Sequence, residues 1–352
     1  MQEKRFDFRR IIKHALATLL ELIKHTLEAL LVLIKFIVKY NLAFLLLLFI
    51  VIASILSPAF FSFSNAVNIL QNNAPGGIVA LGMTFVVITG GIDLSVGSVS
   101  ALAGMLMGLL LTNDVPLFAA VIIAVMSGAA IGAVTGFVVS RFELPAFIVS
   151  LAVMVSARGL TLLTTDGRVI AGLATIGPDG AVGEAFRFLG AGRLFGLPFN
   201  GITWFILTLL AAFILKKTLF GRSLYAIGGN KESAFLSGIK MKKYTNLAYI
   251  ISGACAAYAG VMLTAWLTVS QPTLSAGAEL DAIAAVVLGG TALSGGTGGV
   301  VGTLGGVLLM AIINNVFNLV GLASFYQQIF MGIIIVAALL LNKLVVVWQK
   351  GS

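Results

Sequence analysis

From residue 41 onward the chain is a succession of long apolar runs divided by short polar or glycine-rich breaks. Runs at 41–57, 75–91, 96–112, 116–139, 145–164, 200–216, 246–268, 280–294, 299–319 and 325–346 have lengths suited to crossing a hydrocarbon core of about 30 Å. The pattern predicts an all-α integral membrane protein with about ten transmembrane helices. Glycine pairs near 90 and 289–296 predict broken or re-entrant segments, which are tolerated at membrane depth only where protein covers them.

The segment ahead of residue 41 is patterned differently. After Arg10 its charged and histidine positions are Lys13, His14, Glu21, Lys24, His25, Glu28, Lys35 and Lys39. At about 100° per residue they share an arc of about 120°, and the rest of the circumference is almost wholly apolar. Charge along its whole length opposes a spanning helix. Residues 1–40 are therefore predicted to lie as an amphipathic helix in the cytoplasmic interface, as an anchor or in contact with a partner subunit. A transmembrane domain follows over 41–346, with a short cytoplasmic tail at 347–352. About forty residues precede the first unbroken run, so no cleavable signal peptide is expected.

Charge orients the array. Alternation from a basic N-terminus places Arg141, the 217–245 loop and Lys343 on one side. That loop holds Lys217, Arg222, Lys231, Lys240, Lys242 and Lys243, so alternation and the positive-inside rule agree on both termini facing the cytoplasm. The 165–199 loop falls outside and carries mixed signs. Composition agrees with the pattern: 59% of 352 residues are hydrophobic, 10% are charged, and mean hydropathy is +1.09. The net charge of +9 is explained by topology without a nucleic-acid partner. The single Cys255 sits in an apolar run and reads as a small buried filler.

The chain shows no phosphate-binding G-x-x-x-x-G-K-[ST] loop, no His/Cys/carboxylate metal pattern and no nucleophile arrangement. No catalytic or metal-binding residue is assigned. Within 217–245, Gly221 and Gly228-Gly229 permit turns and Asn230 can cap a helix starting near Lys231. This reads as a compact helix sized for a cleft on another protein, or as an ordinary topological loop. Gly90 to Ser98 and Gly289 to Thr297 echo one another in sequence, and the predicted topology runs both copies in the same direction. Polar residues in the apolar runs divide between two readings. Asn314 and Asn318 are four apart and share a helix face. With Asn315, Gln71, Asn72 and Asn73 they either offer hydrogen bonds to a polar solute or bond between helices. Asp93 is an acid near membrane depth, yet Asp93 or Ser95 could simply cap the next helix. Glu279 and Asp281 are expected near the outer mouth.

Several stretches resemble the ribose-type ABC sugar permeases. They are Ile88-Thr89-Gly90-Gly91-Ile92-Asp93-Leu94-Ser95-Val96-Gly97-Ser98, Glu279 through Thr291, Leu56-Ser57-Pro58-Ala59-Phe60-Phe61, Asn68-Ile69-Leu70-Gln71, and Asn314-Asn315 with Asn318-Leu319. The resemblance covers roughly residues 45–345, and the long N-terminus departs from it. It implies a pore-forming subunit in a bacterial cytoplasmic (inner) membrane, paired with a second copy as a homodimer and moving a monosaccharide, ribose first. Relatives for xylose, galactose, inositol and autoinducer-2 share much of the pattern. It implies a cytoplasmic ATPase that binds ATP and magnesium itself, so no cofactor resides in this chain. That ATPase would engage Phe220, Gly221, Arg222, Tyr225, Ala226, Gly228, Gly229, Asn230, Glu232 and Gly238. A periplasmic or extracellular sugar-binding protein would approach Glu279 and Asp281. Gln71, Asn72, Asn73, Asp93, Ser95, Asn314, Asn315 and Asn318 are the candidate path residues. An ion-coupled transporter is the competing expectation, with Asp93 as its ionisable group.

Overall fold

The computed structural model describes residues 24, 41–323, 325–330, 332, 333, 336 and 340. Apart from Lys24, the predicted amphipathic helix at 1–40 lies outside the described residues. So do much of the last predicted span and the 347–352 tail. The described chain is overwhelmingly helical. In order the helices are α1 (Asn41–Leu56), α2 (Phe63–Ile88), α3 (Val96–Thr112), α4 (Leu117–Phe142), α5 (Ala146–Leu163), α6 (Ala181–Ala191) and α7 (Phe199–Lys217). They continue as α8 (Leu219–Gly229), α9 (Lys231–Leu236), α10 (Met241–Leu267), α11 (Ala278–Leu288) and α12 (Val300–Val320). A small hairpin pairs β1 (Arg193–Leu194) with β2 (Leu197–Pro198). Five helices, α4, α5, α7, α10 and α12, are long and apolar enough to cross a membrane; α1 and α3 are shorter apolar helices.

At the centre stands α10, packed against α4, α2 and α3. Small residues make that packing close. A Cβ at Gly132 of α4 would overlap the Tyr249 carbonyl of α10, and one at Gly253 would overlap the Gly128 carbonyl. Lipid tails give no hydrophobic drive between helices, so such backbone approach is what van der Waals packing has to work with. The outer faces stay apolar and exposed, as at Phe118, Ile122, Met126 and Phe137 of α4.

Two predicted boundaries move, each for a local reason. The span expected from 75 begins at Phe63, because Ser62 caps it by accepting from the Asn65 amide at 3.2 Å. Its first turns carry Asn65, Asn68 and Gln71 to Asn73, which hid it from a reading by hydropathy. The span expected over 280–294 stops at Leu288, because Gly290 turns left-handed with φ of 85°. The chain ahead of it is also unexpected. After α10 it doubles back along α3: Ser270 Oγ donates to the Gly104 carbonyl, Ser275 Oγ lies 2.8 Å from Ser100 Oγ, and Glu279 reaches Gly97. The stretch thus folds back on the bundle, and Arg158 of α5 covers it by donating to the Pro272 and Leu274 carbonyls at 2.6 and 3.2 Å.

The sequence echo has a structural counterpart. At the end of α2, Gly90 has φ of 79° and the Gly91 amide donates to Val86 O. At the end of α11, Gly290 has φ of 85° and the Thr291 amide donates to Val286 O. Both are the six-to-one cap that a left-handed C′ residue allows. The structural match pairs Gly90 with Gly290, one residue out of step with the sequence echo, which set Gly90 against Gly289. Thr84 and Thr303 share a hydrogen bond of 2.7 Å, joining α2 to α12.

The predicted outer loop, 165–199, is a built cap. It holds short 3-10 turns, then α6, then the hairpin. Gly190 of α6 sits against the Met262 carbonyl and the Trp266 amide near the end of α10.

Candidate solute path and coupling surface

In the half of the bundle away from 218–240, a cavity of about 530 Å³ opens between α2, the start of α11, α12 and the residues Gln327, Gln328 and Gly332. Asn72 and Asn73 line one wall, Asn314, Asn315 and Asn318 another, and Asp281, Gln327 and Gln328 complete it. No Lys or Arg lines it among the described residues. The α12 asparagines reach it because spacings of one and four keep them on neighbouring parts of one helix face.

The amides are not equivalent. Asn315 and Asn65 exchange hydrogen bonds of 3.0 and 2.7 Å, so Asn315 mainly ties α12 to α2. Asn73 donates to the Ile69 carbonyl at 2.8 Å. Asn318 accepts from Gln327 at 2.9 Å. Asn72, Asn314, Gln328 and Asp281 make no side-chain hydrogen bond to a described residue, and they are the groups open to a solute. Gln71 does not line the cavity. Its contribution is its carbonyl: Pro75, four residues on, has no N–H to give it. Asn200 of α7 donates there instead at 2.9 Å, which lets the proline stand inside α2.

Asp93 lies elsewhere. It is 1% exposed, in the break between α2 and α3. One oxygen accepts from the Ser95 amide and hydroxyl at 3.0 and 2.6 Å, and the other accepts from Ser252 Oγ of α10 at 2.7 Å. The carboxylate is thus occupied in holding the break against α10. Neither Asp93 nor Ser95 lines the amide cavity.

At the opposite end, α8 and α9 fold as two short helices over 219–236, so the connecting segment runs from Thr218 to Lys240, inside the predicted bounds. Thr218 caps α8 at Gly221 N, and Asn230 caps α9 at Ser233 N, 2.8 Å. Gly238, with φ of 74°, ends α9. Phe220 stacks between Phe85 and Tyr244, with centroids 6.1 and 6.0 Å away. The Tyr225 hydroxyl donates to the Gly298 carbonyl at 2.8 Å, and burial pushes its pKa up, keeping it a donor. Gly228 is the closest contact: a Cβ there would overlap the Ile88 carbonyl oxygen and the Gly296 nitrogen. Thus α8 rests on both glycine breaks at once. Ala226 is half-buried, whereas Arg222, Gly229 and Glu232 are exposed, with Phe235 and Leu236 beside them. A second cavity, of about 780 Å³, opens between this segment, residues 139–147 and the Gly91 break.

Residues 65–339 match a family described as the permease component of branched-chain amino acid transport systems. The chain is 43% identical over 298 residues to the ribose import permease of Bacillus subtilis (strain 168), covering 85% of this chain and 90% of that one. It is 43% identical over 298 residues to the ribose import permease of Escherichia coli (strain K12), covering 85% and 91%. The D-allose transport system permease of the same strain is 35% identical over 311 residues, covering 87% and 92%. The chain belongs to this permease family, in its ribose-type branch. No solved structure matches it.

Within the permease, the structure gathers Asn72, Asn73, Asn314, Asn315 and Asn318 as one site and leaves Gln71, Asp93 and Ser95 out of it. Of the two acids expected at the outer mouth, Glu279 has its Oε2 buried against Gly97, where the 268–277 stretch folds back along α3, and Asp281 lines the amide cavity. Asn65, Asn200, Ser252, Gln327 and Gln328 went unnoticed in the sequence. Of these only Asn200 had a signal, the carbonyl that Pro75 must orphan.

Proposed function

We propose that this permease, paired with a second copy, forms the membrane pathway of an ABC importer for a neutral monosaccharide, with ribose the favoured substrate. The observation that carries the reading is the amide-lined cavity. It offers several open donors and acceptors, one carboxylate and no described cation. A neutral polyol losing water needs such partners, because a hydroxyl left unpaired costs about 1–3 kcal/mol. A sugar phosphate would meet Asp281 with no countercharge. The open, polar side of the cavity is unsuited to lipid, which supports a second copy covering it. The names of the curated relatives support ribose, and the allose relative keeps other monosaccharides in view.

The exposed faces of α8 and α9, with Arg222, Glu232 and Phe235, suit a cytoplasmic ATPase that binds ATP and magnesium. Their seat on both glycine breaks gives that partner a mechanical hold on α2, α3, α11 and α12. The basic residues of 218–240 favour the cytoplasmic side of a bacterial inner membrane. The far end would then receive a sugar-binding protein. Ion coupling is disfavoured, since Asp93 is enclosed by three hydrogen bonds.

The test is reconstitution in proteoliposomes with a ribose-type ATPase and binding protein, following labelled ribose and ATP hydrolysis together. Uptake that needs both partners and ATP is the expected result. Uptake by the permease alone on an ion gradient would refute the reading. Hydrolysis stimulated by a binding protein for another sugar, without ribose uptake, would keep the importer and replace its substrate.

A further inference from the structure

The hairpin ahead of α7 makes an unusual choice at its tip. Leu194 pairs with Leu197, leaving Phe195 and Gly196 as a two-residue loop. Both have positive φ, 52° and 81°. Such turns match the twist of paired strands and usually take Asn-Gly or Asp-Gly. A bulky side chain at positive φ crowds its Cβ against the backbone. Burial offers no compensation, because Phe195 is 101% exposed. The fold therefore holds a strained aromatic residue outward, away from every packed surface of the chain. Strain of this kind persists where the surroundings fix it and tends to mark function.

The neighbourhood indicates what receives the ring. Leu194 and Leu197 are exposed beside it, and Phe63, also exposed, adjoins Gly196. The hairpin leads straight into α7, whose exposed face carries Phe205, Ile206, Leu209 and Phe213 further along. In a multi-pass membrane protein that stripe faces acyl chains, and the hairpin stands at the N-terminal end of the same spanning helix. The charged residue of the hairpin is Arg193, a cation suited to a phospholipid phosphate, with an apolar stem that can lie along the patch. A docking site for a soluble protein would instead carry a polar rim.

We propose that the 193–198 hairpin is a membrane-interface foot. Phe195, Leu194 and Leu197 seat at the boundary between headgroups and acyl chains, and Arg193 engages phospholipid phosphate. The foot fixes the height of the α6 cap over the bilayer, whichever solute the permease moves.

The test places a nitroxide at Phe195→Cys in a Cys255→Ala background, in nanodiscs of phosphatidylethanolamine and phosphatidylglycerol. A matching label at Asp179→Cys, exposed in the same cap, serves as the aqueous reference. Power-saturation spectroscopy should show the Phe195 label favouring oxygen over a water-soluble nickel chelate, at a depth of about 5–10 Å. Nickel accessibility equal to that of the Asp179 label would overturn the proposal. So would a water-exposed label that becomes shielded only when a sugar-binding protein is added, which would mark a protein dock. A second variant keeps the tip unlabelled. Phe195→Asn suits the turn, so it should raise the unfolding midpoint in detergent and lower it in nanodiscs relative to the parent. A rise in both media would also refute the foot.

Discussion

Gly228 and Gly229 are adjacent, identical in chemistry, and placed by the structure in opposite circumstances. A Cβ at Gly228 would overlap the Ile88 carbonyl oxygen and the Gly296 nitrogen, and would come within 3.0 Å of the Ile88 carbonyl carbon. These are backbone atoms, and no side-chain rotation can relieve the clash. They are also the two ends of one hydrogen bond, Gly296 N to Ile88 O, at 2.9 Å. Gly228→Ala must therefore wedge a methyl between the two glycine breaks and part them. Losing that bond with its acceptor still buried costs about 1–3 kcal/mol. Overpacking adds about 1–3 kcal/mol before relaxation. A net loss of about 2–4 kcal/mol is expected once the two overlap. A Cβ at Gly229 meets nothing within 4 Å, and its φ is not in the left-handed region, so Gly229→Ala should gain about 0.5–1 kcal/mol. The assay is thermal or denaturant unfolding of both variants in one detergent, followed by ATP-driven uptake in proteoliposomes. Gly228→Ala should unfold earlier and, if α8 seats the ATPase as proposed, lose uptake out of proportion to ATP hydrolysis. Equal stability of the two variants would refute the packing argument. Normal uptake by a folded Gly228→Ala would refute the mechanical one. Of the Gly228-Gly229 pair that the sequence marks as a turn, the structure puts the packing constraint on Gly228.

Three further outcomes are expected. Asn200→Ala should destabilise by about 1 kcal/mol, and by less in a Pro75→Ala background, where the restored N–H can satisfy the Gln71 carbonyl; a double-mutant cycle of unfolding energies with no coupling would refute this. Asp93→Asn should cost about 1–3 kcal/mol by disturbing bonds from Ser95 and Ser252 while leaving uptake ATP-dependent; loss of uptake at full stability would reassign Asp93 to the solute path. Asn314→Leu should weaken ribose uptake about tenfold or more with basal ATP hydrolysis intact, while Asn315→Leu should chiefly lower stability through Asn65; uptake at the parental rate in Asn314→Leu would remove the cavity from the path.

Hydropathy and charge alone determined that this chain is a multi-span α-helical membrane protein, and the order of the motifs placed it among ribose-type permeases. Both signals are local: a helix satisfies its own backbone wherever a run is long and apolar, and a positive loop declares its side without reference to the rest. The N-cap of α9 was legible for the same reason, since Asn230 acts within a turn. What the sequence concealed depends on which surfaces meet. Asn315 was indistinguishable from Asn314 until Asn65 lay opposite it. Glu279 and Asp281 read alike because nothing in 268–277 announces a chain that turns back along α3, burying Glu279 against Gly97 and leaving Asp281 in the cavity wall. The covering groups that make such a turn tolerable, Arg158 among them, come from helices more than a hundred residues away. Only the tertiary structure decides how a buried polar group is satisfied at such range, and that decision separates an amide that braces the bundle from one left open to a sugar.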